Sequence, residues 1–188
     1  MRRILILTCL VLAASPASAV TIMLHNSSGR DCYMATILEP TPENNRKALA
    51  ACDQAVADAG AGTDAYDHAA ALVNRADVRL RTADYAGAVE DAKQAIALYR
   101  DLSQAYLNFG AGMVGLKRYD EALPLLNKAI DLNGGEPERA YFDRALAKES
   151  LGDIRGAYYD YRKAVEINPN YQPASTELTR FKIVVSPG

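Results

Sequence analysis

Two histidines, three cysteines and a scatter of paired carboxylates are the residues of this 188-residue chain whose types could do chemistry. His25 and His68 stand far apart, and neither has a companion Cys, Asp or Ser at the spacing of a catalytic triad or a metal-ligand set. Glu90-Asp91 and Asp120-Glu121 read as solvent-facing positions of helices, where charge keeps a face wet rather than moving protons. Gly110-Ala111-Gly112 lies inside a helical pattern and Gly134-Gly135 ends one, so neither is a loop that cradles phosphate. The pattern predicts no catalytic residues, no metal and no cofactor. An enzyme would instead need a tight cluster of perturbed titratable groups in a pocket.

The cysteines are read together with the start of the chain. Residues 1–19, MRRILILTCLVLAASPASA, combine Arg2 and Arg3, an apolar run from Ile4 to Ala14, and the small-x-small triplet Ala17-Ser18-Ala19. This predicts a secretory signal peptide cleaved before Val20, because the apolar run is too short for a membrane span of about 20 residues. The protein is therefore expected to be exported, periplasmic or secreted, with no membrane span. Cys9 leaves with the signal, and Cys32 and Cys52 remain. An even pair in an exported chain reads as a disulfide, closing a loop of about 20 residues for about 3 kcal/mol. Two buried free thiols, or a redox or metal site, are the alternatives, the second lacking any CxxC or clustered His. The formal net charge of −2, more acidic once Arg2 and Arg3 are removed, lacks the basic footprint of a nucleic-acid binder.

Apolar spacing shows which elements hold these residues. Tyr119, Ala122, Leu123, Leu126, Ala129 and Ile130 step by three and four, forming one stripe of a helix while Asp120, Glu121, Asn127, Lys128 and Asp131 turn outward. The stripe recurs as Tyr85, Ala88, Val89, Ala92, Ala95 and Ile96, and again as Ile154, Ala157, Tyr158, Tyr161, Ala164 and Val165. Ala88 to Ala122 is 34 residues and Ala122 to Ala157 is 35, the extra residue falling in the Gly134-Gly135 turn. Each striped helix follows another, with Asn74, Asn108 and Asp143 in equivalent places. The connectors Thr82-Ala83-Asp84, Leu116-Lys117-Arg118 and Leu151-Gly152-Asp153 are short, which makes antiparallel pairs. Gly110 is expected opposite Ala122 and Ala129, letting two backbones approach. Pro124 is placed in about the first helical turn, where its missing N–H costs little. Ala48, Leu49, Cys52, Ala55 and Val56 repeat the stripe, putting Cys52 in the inward column of Ala92, Leu126 and Tyr161.

These units resemble the tetratricopeptide repeat, whose pattern of an aromatic, L-G, Y, A, F or Y, A and P is met by Tyr106, Phe109-Gly110, Met113, Ala122, Leu126 and Ala129, with Pro169 closing the last unit. Arg79 and Lys148 depart from it where a late aromatic is usual, as do Arg100 and Gly134 at the final proline. The resemblance implies an all-α fold, a right-handed superhelical array of antiparallel helix pairs, with three units at 69–102, 103–136 and 138–171. Before them, 20–43 reads as irregular: an arm Val20 to Leu24, a turn Asn26 to Gly29, and a short helix Arg30 to Leu38 carrying Cys32. Residues 44–68 read as a degenerate repeat helix and linker, with Thr41 as N-cap, Pro42 as first helical residue and Gly60 to Asp64 as the link. Residues 172–188 supply a capping helix, Pro173 to Phe181, and a tail. An array needs such caps because each unit buries its apolar face only against neighbours.

In this family the first helices line a concave groove that generally accepts a peptide. Here the groove-facing stripe would be Val73, Asn74, Asp77, Leu80 and Arg81, then Gln104, Leu107, Asn108, Ala111 and Val114, then Arg139, Phe142, Asp143, Leu146 and Glu149. Asn74 and Asn108 can each bond both the N–H and the C=O of a peptide backbone, or bond across to the next repeat. The family's known clamp for a ligand's terminal carboxylate is matched by Asn108 and Arg139, whereas Val73, Asp77 and Asp143 stand where it would need Lys, Asn and Arg. Arg75, Arg79 and Arg81 are expected on different faces of one helix. The resemblance thus implies a noncatalytic protein-protein interaction scaffold of the bacterial cell envelope, whose partner and oligomeric state the residues do not name. The other readings are an accessory subunit docking by its convex face, through Tyr158 or Tyr159, and an enzyme.

Overall fold

A computed structural model describes residues 27–60 and 64–181. The expected signal peptide, the arm at Val20 to Leu24 and the end of the tail lie outside the described residues. Helix pairs succeed one another along the chain: α1 (Ser27–Thr36) with α2 (Pro42–Ala59), α3 (Ala65–Arg81) with α4 (Tyr85–Leu98), α5 (Ser103–Gly115) with α6 (Tyr119–Asp131), and α7 (Pro137–Ser150) with α8 (Ile154–Ile167). A short α9 (Gln172–Leu178) closes the array against α8. No strand occurs among the described residues.

The three-residue turns have one construction. In each, the second residue takes a left-handed conformation, at Ala83 (φ 61°), Lys117 (φ 60°) and Gly152 (φ 87°). The N–H after it reaches back five residues, Asp84 to Arg79 O at 2.9 Å, Arg118 to Met113 O at 2.8 Å and Asp153 to Lys148 O at 2.9 Å. This satisfies helix-end carbonyls and reverses the chain. Asp84 and Asp153 then cap the following helix through Gly87 N and Gly156 N. In the middle unit Arg118 instead holds Glu121 through two bonds of 2.6 Å.

The inward column is buried throughout: Cys52, Ala92, Leu126 and Tyr161 are each 0 % exposed. Gly110 packs on Leu126, between Ala122 and Ala129 rather than on them, and Gly112 packs on Val89 of the preceding pair. At the opening pair Cys32 and Cys52 are joined by a disulfide, with Cα atoms 4.5 Å apart, inside a cluster of Ala48, Ala55, Ala71 and Val78.

Several local expectations are corrected. Ser27 to Gly29 form the first turn of α1 rather than a loop, because their N–H groups need no partner at a helix start. The helix stops at Thr36, short of Leu38, leaving Ile37 and Leu38 exposed. Pro124 is the sixth residue of α6, in its second turn. The cap helix ends at Leu178, yet Leu178 and Phe181 still pack on Tyr161 and its neighbours. Asp91, expected in water, is 1 % exposed.

Candidate functional site

The first helices of successive pairs lie close together, α3 against α5 and α5 against α7, and Asp77 of α3 even touches Arg139 of α7. Elements two units apart can meet only on the inside of a curve, so α3, α5 and α7 line the concave face. Arg139 Nη1 donates to Asp77 Oδ1 at 2.8 Å, across α5. Ala111 holds in α5 the place of Asp77 in α3 and projects no side chain into the crossing. Burial alone would lower the pKa of Arg139, but Asp77, Asp143 and Glu136 outweigh it and hold the guanidinium charged.

The equivalent residues Asn74, Asn108 and Asp143 have three different fates. Asn108 is 3 % exposed and donates through Nδ2 to Val73 O at 3.0 Å, tying α5 to α3. Its Nδ2 serves the preceding repeat. Asn74 Nδ2 is buried without a partner. Asp143 cannot donate when ionised, and its Oδ2 is also buried without a partner. Burial, reinforced by Glu136 and opposed by Arg139, pushes its carboxyl up to about 6. Burial and then Asp143 push the Tyr171 hydroxyl up to about 12.

Other expected groove residues divide between core and surface. Val73 and Leu107 are buried, and Val114 packs into the α5 and α6 core. Gln104 packs against the Gly134-Gly135 turn. Phe142 lies 5.7 Å from the Tyr161 ring and 5.6 Å from that of Tyr171, and Leu146 joins the same cluster. Glu149 accepts from Tyr161 at 2.9 Å and from Arg180 at 3.0 Å. Leu80 is half-buried. Arg81 turns to the end of α1, donating to Thr36 O at 2.9 Å. Asn74, Asp77, Ala111, Arg139 and Asp143 therefore make the polar centre of the face. Glu136 and Tyr171 belong to it and escaped the sequence reading, because each lies just outside the helical stripe that marks the rest.

A second set of charges serves the interior of the pairs. Arg75 grips Asp91 through two bonds of 2.9 and 2.6 Å, and Arg79 adds a third contact at 2.9 Å. Arg75 and Arg79 thus share a face and converge, contrary to the expectation of different faces. In the last unit Arg144 and Lys148 hold Asp160 in the same way, at 2.7 to 2.8 Å. The middle unit has Phe109, Met113 and Leu125 in these places. The departures from the repeat pattern at Arg79 and Lys148 are one corner of a buried ion triad.

These features define an all-α solenoid of antiparallel helix pairs whose inner face is built from first helices. Residues 138–171 match the family model for the tetratricopeptide repeat, and similar solved structures share the array. The tetratricopeptide domain of Arabidopsis OM64 is 22 % identical with a TM-score of 0.57, over 62 % of this chain and 95 % of that one. A MamA fragment from Desulfovibrio magneticus RS-1 gives 18 % and 0.60, over 81 % and 82 %. The first such domain of Spaghetti (RPAP3), solved with the HSP90 peptide SRMEEVD, gives 23 % and 0.56, over 61 % and 90 %. The peptidyl-prolyl cis-trans isomerase FKBP42 of Arabidopsis thaliana is 35 % identical over 85 residues, 43 % of this chain and 23 % of that relative's length.

Proposed function

We propose that this protein is an exported, noncatalytic interaction module of the bacterial cell envelope that holds a peptide or protein segment on its concave face. The observation that carries this is the pair of unmet hydrogen-bonding groups on that face, Asn74 Nδ2 as donor and Asp143 Oδ2 as acceptor, on either side of the Asp77 to Arg139 bridge. An unmet buried polar group costs about 1 to 3 kcal/mol, and a ligand backbone bonding both recovers it. The fold supports the reading, since the Spaghetti domain holds its peptide on an array of the same kind. The ligand differs in kind from a terminal carboxylate held by a clamp, because Asn108 and Arg139 are already engaged internally. Export rests on the pattern of residues 1–19 and on the cysteine pair.

The test is affinity capture from envelope extract with wild-type bait and with Ala111→Arg, which fills the concave face at its middle. The captured partner should be lost with the variant while its circular dichroism spectrum is unchanged; retention of the partner would refute the groove. Tyr159 and Ile154, each 51 % exposed on α8, favour a second reading in which the convex side docks. Tyr159→Ala would then abolish capture instead.

A further inference from the structure

One slot in the array is filled by a ring in two units and lacks it in the opening pair. In α4, Tyr85 lies directly over Gly115 of α5. In α6, Tyr119 holds the same place and packs on the middle core. The matching residue of α2 is Asn45, and the residue facing it, in the place of Gly115, is Arg81. An open pocket of about 440 Å³ results, lined by Pro42, Asn45, Arg46, Leu49, Arg81 and Thr82, on the edge of the array where the turns lie. It is separate from the concave centre at Ala111 and independent of the reading proposed for that face.

The polar groups of this pocket are left unmatched with a definite sign. Asn45 is 8 % exposed and its Oδ1 has no hydrogen-bond partner. Arg81 spends Nη1 on Thr36 O, while Nε and Nη2 have no partner. The nearest carboxylate, Asp77, is 3.7 Å from Nε and already bonded to Arg139. Arg46 adds a second, exposed cation.

We propose that this pocket receives an aromatic side chain from an acidic segment of a partner protein. The ring takes the volume that Tyr85 and Tyr119 fill in the later units, and its carboxylate neighbour bonds the free guanidinium edge of Arg81. The rings of Tyr85 and Tyr119 specify the ring, and the unbonded N–H groups of Arg81 with the exposed Arg46 specify the charge.

The experiment titrates full-length, oxidised protein with 4-hydroxyphenylacetate, which joins a tyrosine ring to a carboxylate. Acetate and tyramine serve as charge-only and opposite-charge probes, with the Arg81 Nε–H and Asn45 side-chain resonances as readout. Saturable shifts with 4-hydroxyphenylacetate alone are expected. Asn45→Tyr, which supplies the ring internally, should abolish the saturable shifts, and Arg46→Glu, which sets a like charge beside the carboxylate, should weaken binding by roughly tenfold. Absence of saturable shifts in the wild type, equal binding of tyramine or acetate, or unweakened binding in both variants would overturn the proposal.

Discussion

At the residue scale, the same position in three repeats shows how one atom decides a contact. Asn108 donates to Val73 O, whereas Asp143, its counterpart, buries an acceptor, Oδ2, that no donor meets. Asp143→Asn should therefore stabilise the fold by about 1 to 2 kcal/mol at pH 7.5, since a neutral amide is buried at less cost than an ionised carboxylate. The groups around Asp143 are Arg139 on its own helix, Glu136 just before that helix and Tyr171 just before α9. Its carboxyl, raised to about 6 from roughly 3.9 unfolded, favours the protonated folded form. That contribution is complete below about pH 4 and lost as pH rises through about 6. The advantage of the variant should shrink on acidification, as thermal melts from pH 4.5 to 7.5 would show; a pH-independent difference would contradict the assignment. Asn108→Ala should cost about 1 to 2 kcal/mol by denaturant titration.

Burial at this scale was largely legible in the sequence, because spacing by three and four fixes which residues face a neighbour. What each polar group bonds was not. Asn108 could equally serve a repeat or a ligand until the distance from α5 to Val73 was known. Asp91 was misread as wet because its partners lie on another helix. A signal existed, since Arg75 to Asp91 and Arg144 to Asp160 are both separated by 16 residues.

At the scale of elements, α3 with α4 and α7 with α8 are held by an ion triad where α5 with α6 is held by Phe109, Met113 and Leu125. Buried ion pairs replaced whole by apolar side chains are often neutral or stabilising, whereas removing one partner strands a charge. Asp91→Leu alone should cost about 3 to 5 kcal/mol, while the triple change Arg75→Phe, Arg79→Met and Asp91→Leu should fall within about 1.5 kcal/mol of wild type. Chemical denaturation of the two variants decides this, and a triple variant as weak as the single one would show that the units are not interchangeable. Gly110→Ala provides an independent check on packing. A Cβ there would lie 2.6 Å from Leu126 Cγ, so overpacking of about 1 to 3 kcal/mol should outweigh the better helix propensity of alanine.

At the scale of the molecule, the array is closed differently at its two ends. The repeat period announced the three central units, but the opening pair was read as a short helix in an irregular segment ahead of a degenerate repeat helix, because α1 is short and carries no full stripe. The bond from Cys32 to Cys52 stitches that short helix to α2. Reduction should lower stability by about 3 kcal/mol and raise the intact mass by two protons; an unchanged mass would mean the thiols are free. The far end depends on α9, whose Ala174 and Leu178 cover the last pair. Between these ends the first helices of all three units build the concave face, the surface proposed to hold a partner.

Site-specific photo-crosslinking in the host cell tests that claim most directly, with the crosslinker placed in turn at Ala111 on the concave face and at Tyr159 on the convex side. The same partner segment should crosslink from Ala111 and not from Tyr159. Crosslinks from Tyr159 alone would contradict the concave face as the binding surface.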